Sequence, residues 1–166
     1  MDTLAWVYFY TSGWSVVVIL GLAALHKLRF FGEFIGALAG YRLLPPAALG
    51  IWWIVPLLEM LAVVEILFSQ GQSRWLALAL FALYGAAITI NLLRGRQHID
   101  CGCGGDGTPI SWGLVLRNAV LLAFAWPPPM PGAGLTTATG SLVAITVAFC
   151  LLAYVIVNQL FANAAR

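Results

Sequence analysis

Five apolar stretches, each about as long as a membrane-spanning helix, dominate this sequence of 166 residues. They cover residues 4–25, 47–68, 75–93, 109–126 and 140–161 and are separated by glycine, proline or charged residues. Hydrophobic residues make up 62% of the chain and charged residues 8%, and the mean hydropathy of +0.95 excludes an ordinary soluble domain. We therefore expect an all-α integral membrane protein: a bundle of about five transmembrane helices, a four-helix core plus one, in a single membrane domain over residues 1–166.

The connection between the first two stretches has a helical pattern of its own. Apolar residues recur there at the spacing of one helix face, namely Phe30, Phe31, Phe34, Ile35, Leu38 and Tyr41. Glycines and Glu33 fall on the opposite face. We expect this segment to form an interfacial helix that lies along the surface of the lipid bilayer.

The few charged residues exclude one class of partner and bear on orientation. A net charge of +2, scattered along the chain, is too small for binding nucleic acid. Six basic residues fall on one side of the five-span arrangement, namely Lys27, Arg29, Arg42, Arg94, Arg96 and Arg166. Arg74 alone falls on the other side. Taken alone, the positive-inside rule places the side with six basic residues in the cytoplasm.

The glycine-rich connection before the fourth stretch is the most informative part of the chain. Cys101 and Cys103 are separated there by a single glycine, so they can close a disulfide only within a small ring. We expect such a ring to be strained and therefore oxidising, with the neighbouring glycines leaving the sulfurs open to attack by another protein. Cys150 lies deep in the last stretch and is expected only to pack.

Charged residues and a helix end surround this cysteine pair. Arg94, Arg96 and a protonated His98 would favour thiolate over thiol. Asp100 and Asp106 would oppose them, or either could accept a proton during exchange. Thr108 is expected to cap the fourth helix and Pro109 to be its first residue, which would turn the positive helix end towards the thiols.

Two other interpretations of the cysteine loop stay open. The two thiols could be unreactive. Alternatively, His98, Asp100, Cys101 and Cys103 could supply four metal ligands, but ligands so close in sequence rarely all reach one zinc tetrahedron. We therefore expect no metal and favour redox chemistry.

Ionisable and amide side chains also occur within the apolar stretches. Glu59 and Arg117 are costly if they face lipid, so we expect both in the bundle interior. They could pair directly as a structural lock or take part in handling protons or quinone. Other polar residues near or within the spans are expected to form hydrogen bonds between helices, namely His26, Glu65, Asn91 and Asn118.

The cysteine loop and the residues after it resemble a known family. The segments Arg94-Gly95-Arg96, Asp100-Cys101-Gly102-Cys103-Gly104, Pro109-Ile110-Ser111-Trp112 and Arg117-Asn118 are similar to the methylamine utilisation protein MauE, in a likeness that runs nearly end to end. His26-Lys27 and Glu59 match a looser pattern shared with DoxX-like membrane proteins. The resemblance implies an accessory role in maturation of the methylamine dehydrogenase small subunit, which carries a tryptophan-derived quinone and several disulfides.

The same resemblance implies a place and a partner. It suggests a multi-pass protein of the bacterial inner membrane with its cysteine loop in the periplasm, against the charge rule, and a thioredoxin-like partner called MauD. The helix arrangement is also similar to the vitamin K epoxide reductase family, which passes electrons from thiols to quinone. That family has two residues between its cysteines and a second cysteine pair in the first connection. Residues 26–46 contain no cysteine here, so the shuttle pair is expected on another chain.

Three functions follow as hypotheses. The first is a membrane thiol-disulfide oxidoreductase in which Cys101 and Cys103 exchange electrons with the thioredoxin-like partner and with membrane quinone, oxidising the partner. The second is a non-enzymatic membrane scaffold for processing or transport of the subunit. The third, a small transporter, rests on Glu59 and Arg117 alone and is disfavoured because the chain has no internal repeat.

Overall fold

The computed structural model describes residues 2–102, 108–129 and 137–164. It contains six α-helices: α1 (Asp2–Arg29), α2 (Phe31–Tyr41), α3 (Ile54–Phe68), α4 (Trp75–Leu93), α5 (Trp112–Ala125) and α6 (Thr137–Ala164). A 3-10 helix over Pro46–Ile51 precedes α3. Within the described ranges the remaining structure is turns and one isolated β-bridge, which confirms the all-α class and the helix in the first connection. Cys103 and Asp106 lie outside the described residues.

Helix α1 lies at the centre of the bundle. It packs mainly against α3 on one side and α6 on the other, while α4 packs against α5 and α3. Four helices supply the main core, whose members are Val16, Ile19, Leu20, Ala62, Val63, Ile66, Ala77, Leu78, Leu80, Phe81, Leu121 and Ala125. Leu151 and Tyr154 of α6 add only partly buried side chains, so α6 covers one side of the core.

Among the residues that the structure describes, three helices are long and apolar enough to cross a membrane, namely Thr3–Arg29, Trp75–Leu93 and Ala138–Asn163. Helices α3 and α5 have 15 and 14 residues. At 1.5 Å per residue they reach only about 22 Å, short of the roughly 30 Å hydrocarbon core of a bilayer. The bundle therefore has the expected apolar helices in the expected order, but five full spans are not confirmed.

Two expected helix starts are wrong because the backbone there has other partners. Pro109 does not begin α5: it forms an antiparallel bridge with Asp100, and the Ile110 N–H donates to the Ile99 carbonyl over 2.9 Å. This pairing keeps the chain extended until Ser111, the N-cap of α5. Residues 47–53 form the 3-10 helix and a turn, so α3 begins only at Ile54.

The end of the bundle opposite the cysteine loop is held by Arg74, which was expected to be a flanking surface charge. Arg74 is fully buried: its Nε donates to the Gly71 carbonyl over 2.8 Å and its Nη1 to the Ser12 hydroxyl over 2.7 Å. Its Nη2 donates to the Phe9 carbonyl over 2.9 Å. A Cβ at Gly13 would lie 3.1 Å from that Nη2 atom, so the glycine lets the guanidinium approach α1 closely without shifting.

Glu65 completes this end by joining α3 to α4. Its carboxylate accepts hydrogen bonds from the backbone N–H groups of Trp75 and Leu76, over 3.1 and 3.0 Å, and from the Ser73 hydroxyl. The carboxylate therefore satisfies N–H groups at the start of α4 that have no partner within the helix. The expected role of Glu65 in a contact between helices is confirmed.

Candidate functional site: the cysteine loop and the cavity beneath it

Cys101 lies in a loop held against the bundle. The residue is disulfide-bonded and 8% exposed, and its side chain belongs to a second apolar cluster with Tyr41, Ile88, Leu92, Ile110 and Leu114. Its backbone N–H donates to the Thr108 carbonyl over 2.9 Å, and its carbonyl accepts a hydrogen bond from the Tyr41 hydroxyl over 3.2 Å. The cysteine is thus fixed by its backbone on both sides.

The turn after Cys101 brings the loop close to α2. Gly102 has a φ of +66°, a conformation that side chains other than glycine rarely adopt, and its N–H donates to Asp100 Oδ1 over 2.9 Å. A Cβ at this position would lie 3.0 Å from the Cβ of Ala37. A glycine is therefore required for the loop to rest on α2.

Tyr41 serves this loop as a neutral hydrogen-bond donor. Burial raises the pKa of its hydroxyl to about 12, with a lowering by the charge of Arg117 and a raising by that of Asp100. The phenol consequently stays protonated throughout the physiological range. Its role is to hold the Cys101 carbonyl and not to exchange protons.

A cavity of about 230 Å³ lies beneath the loop, between α2, α3 and α4. Its lining is mainly apolar and comprises Lys27, Phe34, Ala37, Leu38, Tyr41, Leu43, Leu44, Val55, Leu83, Tyr84, Ala87, Ile88, Cys101 and Gly102. Among these lining residues Lys27 alone is charged. Cys101 and a buried cation therefore share one apolar chamber.

Lys27 forms a buried ion pair with Glu59. The Lys27 Nζ donates to Glu59 Oε1 over 2.7 Å, and the Tyr84 hydroxyl donates to the same oxygen over 2.8 Å. The Lys27 and Glu59 side chains are 4% and 0% exposed. Glu59 Oε2 is buried without a hydrogen-bond partner among the described residues. Far from water, the two charges are stabilised by each other, by this short network and by the aromatic rings of Phe34 and Tyr84, whose centroids each lie 5.6 Å from the Lys27 Nζ.

Glu59 and Arg117, for which a direct pair was one of two open alternatives, do not pair with each other. Glu59 does lie in the interior, but Arg117 is only partly buried and its Nη1 donates to Asn158 Oδ1 of α6 over 2.8 Å. Arg117 lines a different cavity, of about 510 Å³, between α1, α5 and α6. Asn118 is buried, and its side-chain amide donates to the Leu114 carbonyl over 2.8 Å. This hydrogen bond lies within α5, whereas a hydrogen bond between helices was expected.

The other candidate residues are spread around the loop. Arg94 ends α4 and is exposed, and Arg96 is partly buried with its Nη1 atom unpartnered among the described residues. His98 is exposed and, with Asp100 and Glu33, lines an open groove beside α2. The structure thus brings Asp100 to Cys101 through the Gly102 turn and leaves Arg94 and His98 at the surface.

Sequence reasoning missed Lys27, Tyr41 and Tyr84 as members of this site. Lys27 was grouped with surface charges because it follows an apolar stretch. A signal was present, since Lys27 falls on the same helical stripe as Leu20 and Ala24, which are buried core residues. The stripe indicates that Lys27 faces the bundle, although it cannot identify Glu59 as the partner.

The fold and this end of the bundle define a class: a helical membrane protein in which a disulfide-bonded cysteine and the lysine of a buried ion pair line the same apolar cavity. The family described as "Methylamine utilisation protein MauE" matches residues 1–131. A protein of that name from Paracoccus denitrificans is 38% identical over 148 residues, covering 80% of both chains. Another, from Methylorubrum extorquens, is 40% identical over 133 residues, covering 72% of this chain and 69% of its own. The chain belongs to the MauE family. No solved structure matches it.

Proposed function

We propose that this protein serves methylamine utilisation as a thiol-disulfide oxidoreductase of the bacterial inner membrane, acting in maturation of the methylamine dehydrogenase small subunit. Family membership supports the pathway. The observation that carries the chemistry is the disulfide-bonded state of Cys101 in a loop at the end of an apolar helix bundle. In this proposal the loop faces the periplasm, where the dehydrogenase subunit acquires its disulfides.

The proposed reaction moves two electrons and two protons in each of two steps. A dithiol on a thioredoxin-like, MauD-like partner reduces the disulfide between Cys101 and Cys103, so that the partner leaves as a disulfide and this pair remains as a dithiol. A membrane quinone then takes two electrons and two protons from the dithiol and becomes a quinol. The disulfide is restored, and the oxidised partner passes its own disulfide on to the subunit.

The burial of Cys101 assigns different roles to the two sulfurs. Exchange requires a thiolate to approach a sulfur in line, and a residue that is 8% exposed and packed on Ile110 and Leu114 offers little access to a folded protein. The partner is therefore proposed to attack Cys103. Cys101 becomes the leaving thiolate, at the boundary of the cavity.

Trapping of a mixed disulfide tests this proposal. We expect Cys101→Ser, which keeps Cys103, to form a stable mixed disulfide with a partner variant that retains only its attacking cysteine, when diamide is added as the two-electron oxidant that joins the two thiols. Cys103→Ser should form little of it, and Cys150→Ser should behave as the unmodified protein does, because Cys150 is free and lies in α6. Capture mainly by Cys103→Ser would reverse the assignment. If alkylation in growing cells shows that the pair never becomes reduced, the oxidoreductase proposal is wrong.

A non-enzymatic scaffold is the second candidate function. The hydrogen bonds that hold the Cys101 backbone, together with its burial, also suit a disulfide that only stabilises a docking loop. In that case both Cys→Ser variants would lose stability but still support assembly of active dehydrogenase. Cellular assembly of the enzyme with each variant distinguishes the two functions.

A further inference from the structure

The cavity beneath Cys101 is lined by one charged group, the Lys27 ammonium, which also lies 5.6 Å from the ring centroids of Phe34 and Tyr84. The Lys27 ammonium has three N–H donors, of which Glu59 Oε1 accepts one over 2.7 Å. The Lys27 side chain is 4% exposed, and the residue lines the cavity together with leucine, alanine and aromatic side chains. A buried ammonium beside an empty apolar space is suited to a ligand that is mostly apolar and has a hydrogen-bond acceptor.

The mouth of the cavity indicates where such a ligand comes from. Leu43, Leu44 and Leu83 line the cavity and are also 38%, 45% and 59% exposed, so apolar side chains continue from the chamber to the outer surface of the bundle. In a membrane protein such a surface faces acyl chains. The volume of about 230 Å³ is below the roughly 300–1,000 Å³ of pockets for drug-sized ligands. It suits one ring whose lipophilic tail stays outside.

We propose that this cavity binds the ring of a membrane quinone and that the Lys27 ammonium donates a hydrogen bond to one quinone carbonyl oxygen. The inference rests on the proposed function, which supplies the dithiol as reductant. Glu59 and Tyr84 are positioning residues, because they hold the ammonium and do not themselves carry electrons. Cys101 lines the same chamber and therefore brings the reducing sulfur to the ring.

The position of Lys27 matches the charge that develops during the reaction. As the dithiol becomes a disulfide, two electrons enter the ring and negative charge grows on its carbonyl oxygens. A fixed ammonium stabilises that charge more than it stabilises the neutral quinone, which is the condition for accelerating the step. The two thiol protons end on the two oxygens of the quinol, so the step draws no proton from Lys27.

A double substitution removes the charge without leaving its partner unpaired. Lys27→Met alone would bury an uncompensated Glu59 carboxylate, so the test variant is Lys27→Met with Glu59→Leu. Arg29→Met is the matched control, since Arg29 lies in the same last turn of α1 but is exposed and outside the cavity lining. The full-length proteins are reduced, reconstituted in lipid vesicles and mixed with a decyl-substituted benzoquinone. Disulfide formation is followed by alkylation mass shift.

The expected result is selective loss of oxidation by quinone. A hydrogen bond to a charged donor predicts an oxidation rate about 10- to 100-fold lower in the double variant, with Arg29→Met unchanged. Oxidation by diamide, a water-soluble thiol oxidant that needs no cavity, should proceed equally in all three proteins. An unchanged quinone rate, or an equal loss with both oxidants, would overturn the inference.

A second variant tests the cavity independently of the ion pair. Ala87→Leu fills part of the chamber without changing any charge, because Ala87 is a half-buried lining residue. We expect slower oxidation by the benzoquinone and an unchanged rate with diamide. Failure of the proposed function itself looks different: the pair would not exchange with the thioredoxin-like partner in any variant, whatever the quinone rates.

Discussion

Two buried cations mark the two ends of this bundle, and their surroundings differ. Arg74 directs three nitrogen atoms at three acceptors, and two of these are backbone carbonyls, those of Phe9 and Gly71. Lys27 has one carboxylate partner, Glu59, and lines an open chamber. Arg74 is therefore satisfied by the fold alone, whereas Lys27 retains donor capacity at a site that a ligand can reach.

The comparison teaches how to separate a structural charge from a functional one when both are equally buried. Burial does not separate them, since Arg74 is 0% and Lys27 4% exposed. The two kinds of charge are separated by the number of N–H donors that have an acceptor and by the empty space beside the charged group. A guanidinium has a fixed fork that matches several acceptors at once, while an ammonium binds as a compact point charge. The first two experiments below test this difference, and the third tests the hydrogen bond that holds the loop above Lys27; the largest expected effect comes first.

Arg74→Met should be the most destabilising of them. It removes the guanidinium donor from the carbonyls of Gly71 and Phe9, of which the second keeps the Ser12 hydroxyl as a donor, and from the Ser12 hydroxyl itself. At about 1–3 kcal/mol for each of the three lost hydrogen bonds, we expect a loss of about 3–9 kcal/mol in the free energy of unfolding. Denaturation in detergent, followed by circular dichroism, measures it. Arg29→Met is the control for loss of a positive charge. Equal stability of the two variants would show that the hydrogen bonds of Arg74 do not stabilise this end of the bundle.

Substitution of the Lys27–Glu59 ion pair should differ from that of Arg74, because both members of the pair are side chains and both can be replaced. Lys27→Met alone leaves the Glu59 carboxylate buried and unpaired, and we expect it to cost about 3 kcal/mol. Adding Glu59→Leu should bring the stability back to within about 1 kcal/mol of the unmodified protein. No second substitution can restore Arg74→Met in this way, because backbone carbonyls remain. If the double variant is no more stable than Lys27→Met, the ion pair does not differ from Arg74 in this respect.

Tyr41→Phe should have the smallest effect at neutral pH and a distinct one in alkali. The lost hydrogen bond to the Cys101 carbonyl is expected to cost about 1 kcal/mol. The Tyr41 pKa is raised from 10.0 to about 12 in the folded protein, so the unfolded chain releases this proton first and stability falls as the pH rises above 10. Thermal midpoints between about pH 8 and 11 should therefore decline less steeply for Tyr41→Phe. Parallel declines would contradict the assignment.

The helices could be predicted from the sequence because apolar composition is a local property. Each expected stretch contains a helix, and α4 has the predicted bounds of 75–93. The ends were less predictable. Pro109 carries a helix-start signal, but its pairing with Asp100 depends on a turn whose geometry composition does not encode. The 3-10 helix before α3 is as apolar as a membrane span, so hydropathy could not separate the two.

The site was predictable only in part. A sequence pattern shows how far along an apolar helix a residue lies, but it does not show which residue of another helix contacts it. Glu59 was correctly expected in the interior, but the partner that the sequence suggested as one alternative was Arg117, whereas the observed partner is Lys27. Lys27 and Arg74 were both counted as surface charges because each stands at an end of an apolar stretch. The redox role of Cys101 and Cys103 stays a prediction from their spacing and the family resemblance.

The outward position of α6 has a consequence for divergence among relatives. The family match ends at residue 131, before this helix begins, and only 6% of the most apolar part of α6 is buried. Most of its side chains meet acyl chains, for which one aliphatic residue is nearly as good as another. The sequence of α6 can therefore change widely as long as it stays apolar. Helix α1 packs against both α3 and α6, so its side chains must keep the shape of each contact.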